Sequence, residues 1–265
     1  MEQETETMKL AGALITCVLC LPLSGAQKLR DAKFPLTFTP EKSLQVTVQL
    51  ADGVAVAQLP AGKQQKLSAY DSTEVGVEAA PLLVGDFNFD GYDDIAVLEG
   101  NGYGGVNLFY RIWLWQSKQQ NFREFTTSIS NPVLNSGSRM LISGHRSGPR
   151  WYQAVFAANA GTLLPYAEAQ MLDAVAFWGV VFSDGTRTVA DAKWFDGDLR
   201  KAPQATAELV AGKCGGGQKQ NVKAPTNKKL RAVLMDFRNE GAEVLARAGE
   251  SAQPRWISAE CLASE

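Results

Sequence analysis

The residues with the clearest chemistry lie in one stretch, Asp86-Phe87-Asn88-Phe89-Asp90-Gly91-Tyr92-Asp93-Asp94. Asp86, Asn88 and Asp90 occupy alternate positions, and Gly91 follows where a sharp bend is needed. Calcium is a hard cation that takes roughly six to eight oxygen ligands, and a tight turn brings alternate side chains inward to supply them. The carbonyl of Tyr92 adds an oxygen, Asp94 closes the shell, and Asp93 is expected to point outward. In a helix–loop–helix calcium hand the last loop position must be a bidentate Glu. Here it is Val97, so that hand is excluded. The expected cofactor is therefore Ca2+, held by Asp86, Asn88, Asp90, Tyr92 and Asp94.

Other reactive side chains give weaker signals. His145 is the one histidine, set in Ser-Gly-His-Arg-Ser-Gly-Pro, and reads as a surface-loop residue. The sequence has no Gly-x-Ser-x-Gly elbow and no phosphate loop. With no catalytic set in view, a non-enzymatic protein is expected. The separation of a carboxylate pair for glycoside hydrolysis is a property of the fold, which leaves that chemistry open. Trp113, Trp115 and Trp151 read as core, with a sugar-stacking platform as the alternative. Tyr103 differs from these, because in Asn101-Gly102-Tyr103-Gly104-Gly105 nothing in the sequence requires its burial.

These residues need strands to position them. Residues 44–50 alternate strictly between apolar and polar, Asp52-Gly53 supplies a tight hairpin turn, and residues 54–59 return as the partner strand. Residues 81–84 and 95–98 are short apolar runs on either side of the acidic loop, which makes it a strand–loop–strand unit. Residues 108–115 and 151–157 are rich in strand formers. Residues 177–195 form another hairpin around Ser183-Asp184-Gly185, and residues 166–172 read as one short helix. The expected fold class is mainly β: an antiparallel domain carrying the calcium loop, followed by a small C-terminal β unit.

The termini set the compartment. Polar residues, Met8-Lys9, an apolar run over 11–23 and then Ser24-Gly25-Ala26 follow the order of a secretory signal. The run is too short to span a bilayer comfortably. The expectation is export to the periplasm or beyond, with cleavage after Ala26 and no integral span afterwards. Cys17 and Cys20 lack the preceding small residues of a lipoprotein signal. Losing Glu2, Glu4, Glu6 and Lys9 takes the formal charge from −2 to zero, which leaves no strong field to attract nucleic acid. Cys214 and Cys261 then remain, an even pair that reads as a disulfide in an exported chain. Two cysteines and a distant histidine do not make a clustered zinc site. The glycine-rich residues 211–221 read as a linker between a calcium-binding domain at 27–210 and a C-terminal β domain at 222–265.

The stretch from Val84 through Asp94 to Val97 resembles the FG-GAP/VCBS calcium repeat. Only one copy is present, so a propeller is not expected. With the Gly-Tyr-Gly-Gly segment and the aromatic strand at 110–115, it is similar to periplasmic proteins with a single such loop. These look like immunity proteins or inhibitors of peptidoglycan-cleaving, lysozyme-like enzymes. The resemblance covers about residues 82–182 and implies a peptidoglycan hydrolase as partner, with Tyr103 as the partner-binding residue. On that view the metal gives the Tyr103 loop a fixed base. The ending at 242–258 faintly resembles an SH3-like barrel. The alternative function is a calcium-stabilised carbohydrate- or wall-binding module.

Overall fold

The computed structural model describes residues 26–27, 29–70, 79–172, 177–191, 202, 204–209, 230–249 and 251–263. The expected leader before Ala26, the linker at 211–221 and Cys214 lie outside them. The described chain is mainly antiparallel β, arranged in four sheets.

The first sheet is a four-stranded meander of β3 (Leu36–Glu41), β4 (Leu44–Ala51), β5 (Val54–Gln58) and β6 (Gln64–Ala69). Its β4–β5 turn puts Asp52 and Gly53 at φ 48° and 74°, the left-handed pair that a two-residue hairpin demands. A five-stranded sheet lies at the centre. Its order is β10 (Asn121–Ser130), β9 (Asn107–Gln116), β8 (Asp94–Gly102), β7 (Leu82–Gly85) and β2 (Arg30–Ala32).

Both faces of the central sheet are covered. Val84, Ile95, Val97 and Trp115 pack with Val46, Val48 and Ala57 of the meander. Leu83, Ala96, Leu98, Ile112 and Leu114 pack with Leu134, Leu141 and Phe156 on the other side. Burial on both faces explains why these strands read as nearly continuous apolar runs rather than alternating ones.

The third sheet has seven strands in the order β1 (Ala26–Gln27), β11 (Val133–Asn135), β12 (Met140–Ser147), β13 (Arg150–Asn159), β14 (Thr162–Met171), β15 (Phe177–Phe182) and β16 (Arg187–Asp191). One face packs on the central sheet through Leu134, Leu141 and Phe156. Its other face buries Met140, Ile142, Val155, Ala167, Ala169, Trp178 and Val180 together, so the sheet curls over its own residues. The short helix expected at 166–172 is instead most of β14. Ala167, Ala169 and Met171 are buried while Glu168 is exposed, an alternation of two that suits a strand edge to edge with β13 and β15. His145, expected in a loop, lies within β12 opposite Tyr152.

The fourth sheet has the order β20 (Arg255–Ser258), β19 (Glu243–Arg247), β18 (Leu230–Arg238), β17 (Thr206–Leu209) and β21 (Leu262–Ala263). It takes β17 from before the glycine-rich stretch, so its boundary differs from the expected start at 222. Its core also includes Phe177 and Val189 of the seven-stranded sheet and Leu172, which directly follows β14. A unit confined to 222–265 would lack both that strand and the packing of Leu172, Phe177 and Val189.

Candidate functional site

The acidic loop joins β7 to β8 at one end of the central sheet. Its apolar residues fix it to the body of the protein. Phe87 is fully buried in the core shared with the seven-stranded sheet, and Tyr92 packs against the core shared with the meander. The turn needs two left-handed residues, Phe89 at φ 57° and Gly91 at φ 95°. Glycine takes that conformation without strain; phenylalanine does not, and its cost must be met by the surrounding contacts. Arg139 donates to the Phe89 carbonyl at 2.6 Å, and Asn88 donates to the Gly161 carbonyl at 2.9 Å. Arg123 reaches the same carbonyl, so the β13–β14 turn clamps the loop.

The expected ligands come together in this turn. The Asp90 N–H donates to Asp86 Oδ1 at 2.9 Å and the Gly91 N–H to Asp86 Oδ2 at 2.8 Å. Asp90 accepts from the Tyr92 N–H at 3.1 Å and from the Asn88 amide at 2.9 Å. Asp94 is fully buried and accepts from the Phe87 N–H and the Trp115 N–H, each at 2.8 Å, which staples the loop to β9. Asp93 turns away to pair with Arg30.

Burial shifts two of the inner carboxylates, Asp94 and Asp86. Burial raises Asp94 well above the usual carboxylate range, against the pull of its two N–H donors, and Asp90 and Asp86 raise it further. Burial also raises Asp86, with Asp90 adding to the effect. Three carboxylates thus lie within mutual influence, and among the described residues none of them is ion-paired. That donor set fits a hard cation chemically. The oxygens are nevertheless turned to the loop's own amides and to the Trp115 N–H. Among the described residues no group of three or more His, Cys, Asp or Glu side chains is arranged as a metal centre.

Tyr103 lies at the opposite end of β8. Nine strand residues separate it from the acidic loop, about 30 Å at strand rise. The acidic loop is therefore not the base of the Tyr103 turn. That base is made by two asparagines with no signal in the sequence. Asn107, 5% exposed, donates to the Arg146 carbonyl at 2.9 Å and accepts from the Arg146 N–H at 2.8 Å. Asn131 donates to the carbonyls of Val106 and Gly144 and accepts from the Leu108 N–H. Together they join the β8–β9 hairpin to β12. Tyr103 is 47% exposed, its hydroxyl donates to the Gly148 carbonyl, and the Arg146 guanidinium lies 5.1 Å from the ring centroid.

The remaining candidates fall elsewhere. Trp113 and Trp115 are core, Trp113 donating to Ser68 and Trp115 to Glu41. His145 stacks on Tyr152 at 5.4 Å. Cys261 is buried beside β21, and its expected partner Cys214 lies outside the described residues. No helix among the described residues is long and apolar enough to cross a membrane.

No protein-family model matches the chain, and no curated protein matches its sequence. Among solved structures it is similar to a Xanthomonas protein described as related to a type IV secretion system. The two are 15% identical, with a TM-score of 0.40, over 62% of this chain and 98% of that one. At that TM-score the likeness carries no argument.

Proposed function

We propose that the chain is an exported, non-enzymatic calcium-binding protein that blocks a peptidoglycan-cleaving enzyme. The observation that carries this reading is the Tyr103 turn, an exposed aromatic held on a base of buried asparagine bonds. A loop ordered before it meets its partner loses little freedom on binding. Large aromatic side chains at such positions often supply much of the binding energy. The partner class comes from the resemblance of the loop and the Gly-Tyr-Gly-Gly segment to lysozyme-type inhibitors and immunity proteins. The two ends of β8 then have separate roles. The Asp86–Asp94 turn takes a structural calcium ion that offsets the repulsion among Asp86, Asp90 and Asp94, and the Tyr103 end meets the partner. The expected bridge between Cys214 and Cys261 belongs to the same exported state.

Two measurements test this. Calcium in millimolar excess should raise the melting temperature above that in chelator, by mass action, and Asp90→Ala should remove the difference. Equal melting in the two conditions would exclude the ion. Turbidity loss of purified cell wall under a lysozyme should slow when the wild-type protein is added in molar excess. An unchanged rate, together with sedimentation of the protein with the wall, would instead favour a wall-binding module.

A further inference from the structure

Arg146 has a setting unlike that of the ion-paired arginines in the described residues. Arg30, Arg111, Arg187 and Arg238 each meet a carboxylate. Arg146 has none among the described residues. Its guanidinium is held by the Tyr103 ring at 5.1 Å and by the Gly148 carbonyl at 3.3 Å from Nε. A single Nε contact leaves most of the fork's donors without a protein acceptor in the contacts described. Its backbone is locked by the Asn107 side chain, so the position of the strand beneath it is fixed.

The neighbouring hairpin tips bring no acidic side chain to this charge. Residues 101–107 and 143–151 form the two adjoining hairpin tips and contain no Asp or Glu; Arg150, on the same tip as Arg146, donates to the Glu240 carbonyl. The tips project outward: a side-chain carbon at Gly104, Gly105 or Gly148 would meet nothing within 4 Å. Val106, 37% exposed, adds apolar surface beside Tyr103.

Resting on the inhibitor reading, we infer that Tyr103 and Arg146 act as one recognition unit that receives a carboxylate of the partner enzyme. A guanidinium stacked on an aromatic ring keeps its fork free for bidentate carboxylate binding, and its rigid placement lowers the ordering cost. The projecting shape favours a concave protein cleft over a glycan strand, which is commonly gripped by a groove. An enzyme that cleaves glycosidic bonds carries such carboxylates in its cleft.

The test is binding of the full chain to a purified lysozyme, by calorimetry at low and high salt. Wild type should bind, and Tyr103→Ala and Arg146→Gln should each weaken binding by tenfold or more. The double variant should be little weaker than either single one, because each removes the same unit. Added salt should weaken wild type markedly and Arg146→Gln much less. Unchanged melting of Arg146→Gln, whose backbone bonds to Asn107 persist, shows that folding is not the cause. Wild-type binding with Arg146→Gln unimpaired, or with fully additive losses, overturns this inference and leaves the inhibitor reading intact. No wild-type binding to lysozyme overturns both.

Discussion

Tyr110 shows how a single side chain reports its surroundings. It sits on β9, 3% exposed, and donates to the Ala80 carbonyl at 2.9 Å. Burial, with Asp31 and Tyr70 nearby, pushes its phenol up to about 12. In the unfolded chain the phenol ionises near its ordinary value of about 10. The folded state therefore holds its proton where the unfolded state has lost it. The associated penalty is absent below the unfolded value and grows as pH rises from there toward the folded value. Absorbance titration should show a late-ionising phenol that Tyr110→Phe removes, and stability should fall over that alkaline window. Tyr110→Phe should flatten the fall. A tyrosine complement that ionises uniformly at its ordinary value would contradict the buried setting. Residue placement was legible in the sequence where spacing carries it. The acidic loop is found between two strands as expected, with Asp93 turned out. Tyr110, by contrast, looked like any strand aromatic, because burial is set by which sheet covers it.

At the scale of elements, the alternating residues of β4 and β5 and the Asp52-Gly53 turn were readable because one face is wet. The strand β14 was not, since Tyr166-Ala167-Glu168-Ala169-Gln170-Met171 is rich in good helix formers. Tertiary packing overrides that preference, as Ala167, Ala169 and Met171 fill the inside of a curled sheet whose neighbours on both sides are strands. The clasp between β9 and β12 was equally hidden, because an isolated asparagine has no pattern. Its energetic role follows from burial. Asn107→Ala would leave the Arg146 N–H and carbonyl without their partner in a nearly dry place, a loss of about 1–3 kcal/mol. Hydrogen exchange at the Arg146 amide should then quicken strongly, while exchange in β7 beside the acidic loop stays slow. Equal acceleration at both ends of β8 would mean that the clasp holds the whole sheet rather than the tip.

The whole molecule is a stack in which each sheet borrows its core from the next. The meander and the seven-stranded sheet cover the two faces of the central sheet, and the C-terminal sheet covers part of the seven-stranded one. The sequence showed a composition shift near 211 and suggested a separate unit beyond it. It could not show β17 joining that unit from upstream, since sheet partners far apart in sequence leave no local signal. Phe237 is one of the points where the two parts meet. It is 4% exposed, and a side-chain carbon at Gly179 of β15 would lie 2.8 Å from its ring. Arg187 of β16 lies over the same ring at 4.3 Å and bonds Asp236 at 2.8 Å. Phe237→Ala should cost about 3–5 kcal/mol by the transfer and cavity terms for a buried aromatic. Gly179→Ala should destabilise too, since the new methyl needs the space that the ring fills. If the packing makes one cooperative structure, either change should speed hydrogen exchange in β15 and β16 as well as in β18 and β19. If the C-terminal sheet folds as an independent domain, Phe237→Ala will loosen β18 and β19 and leave β15 and β16 at their wild-type rates.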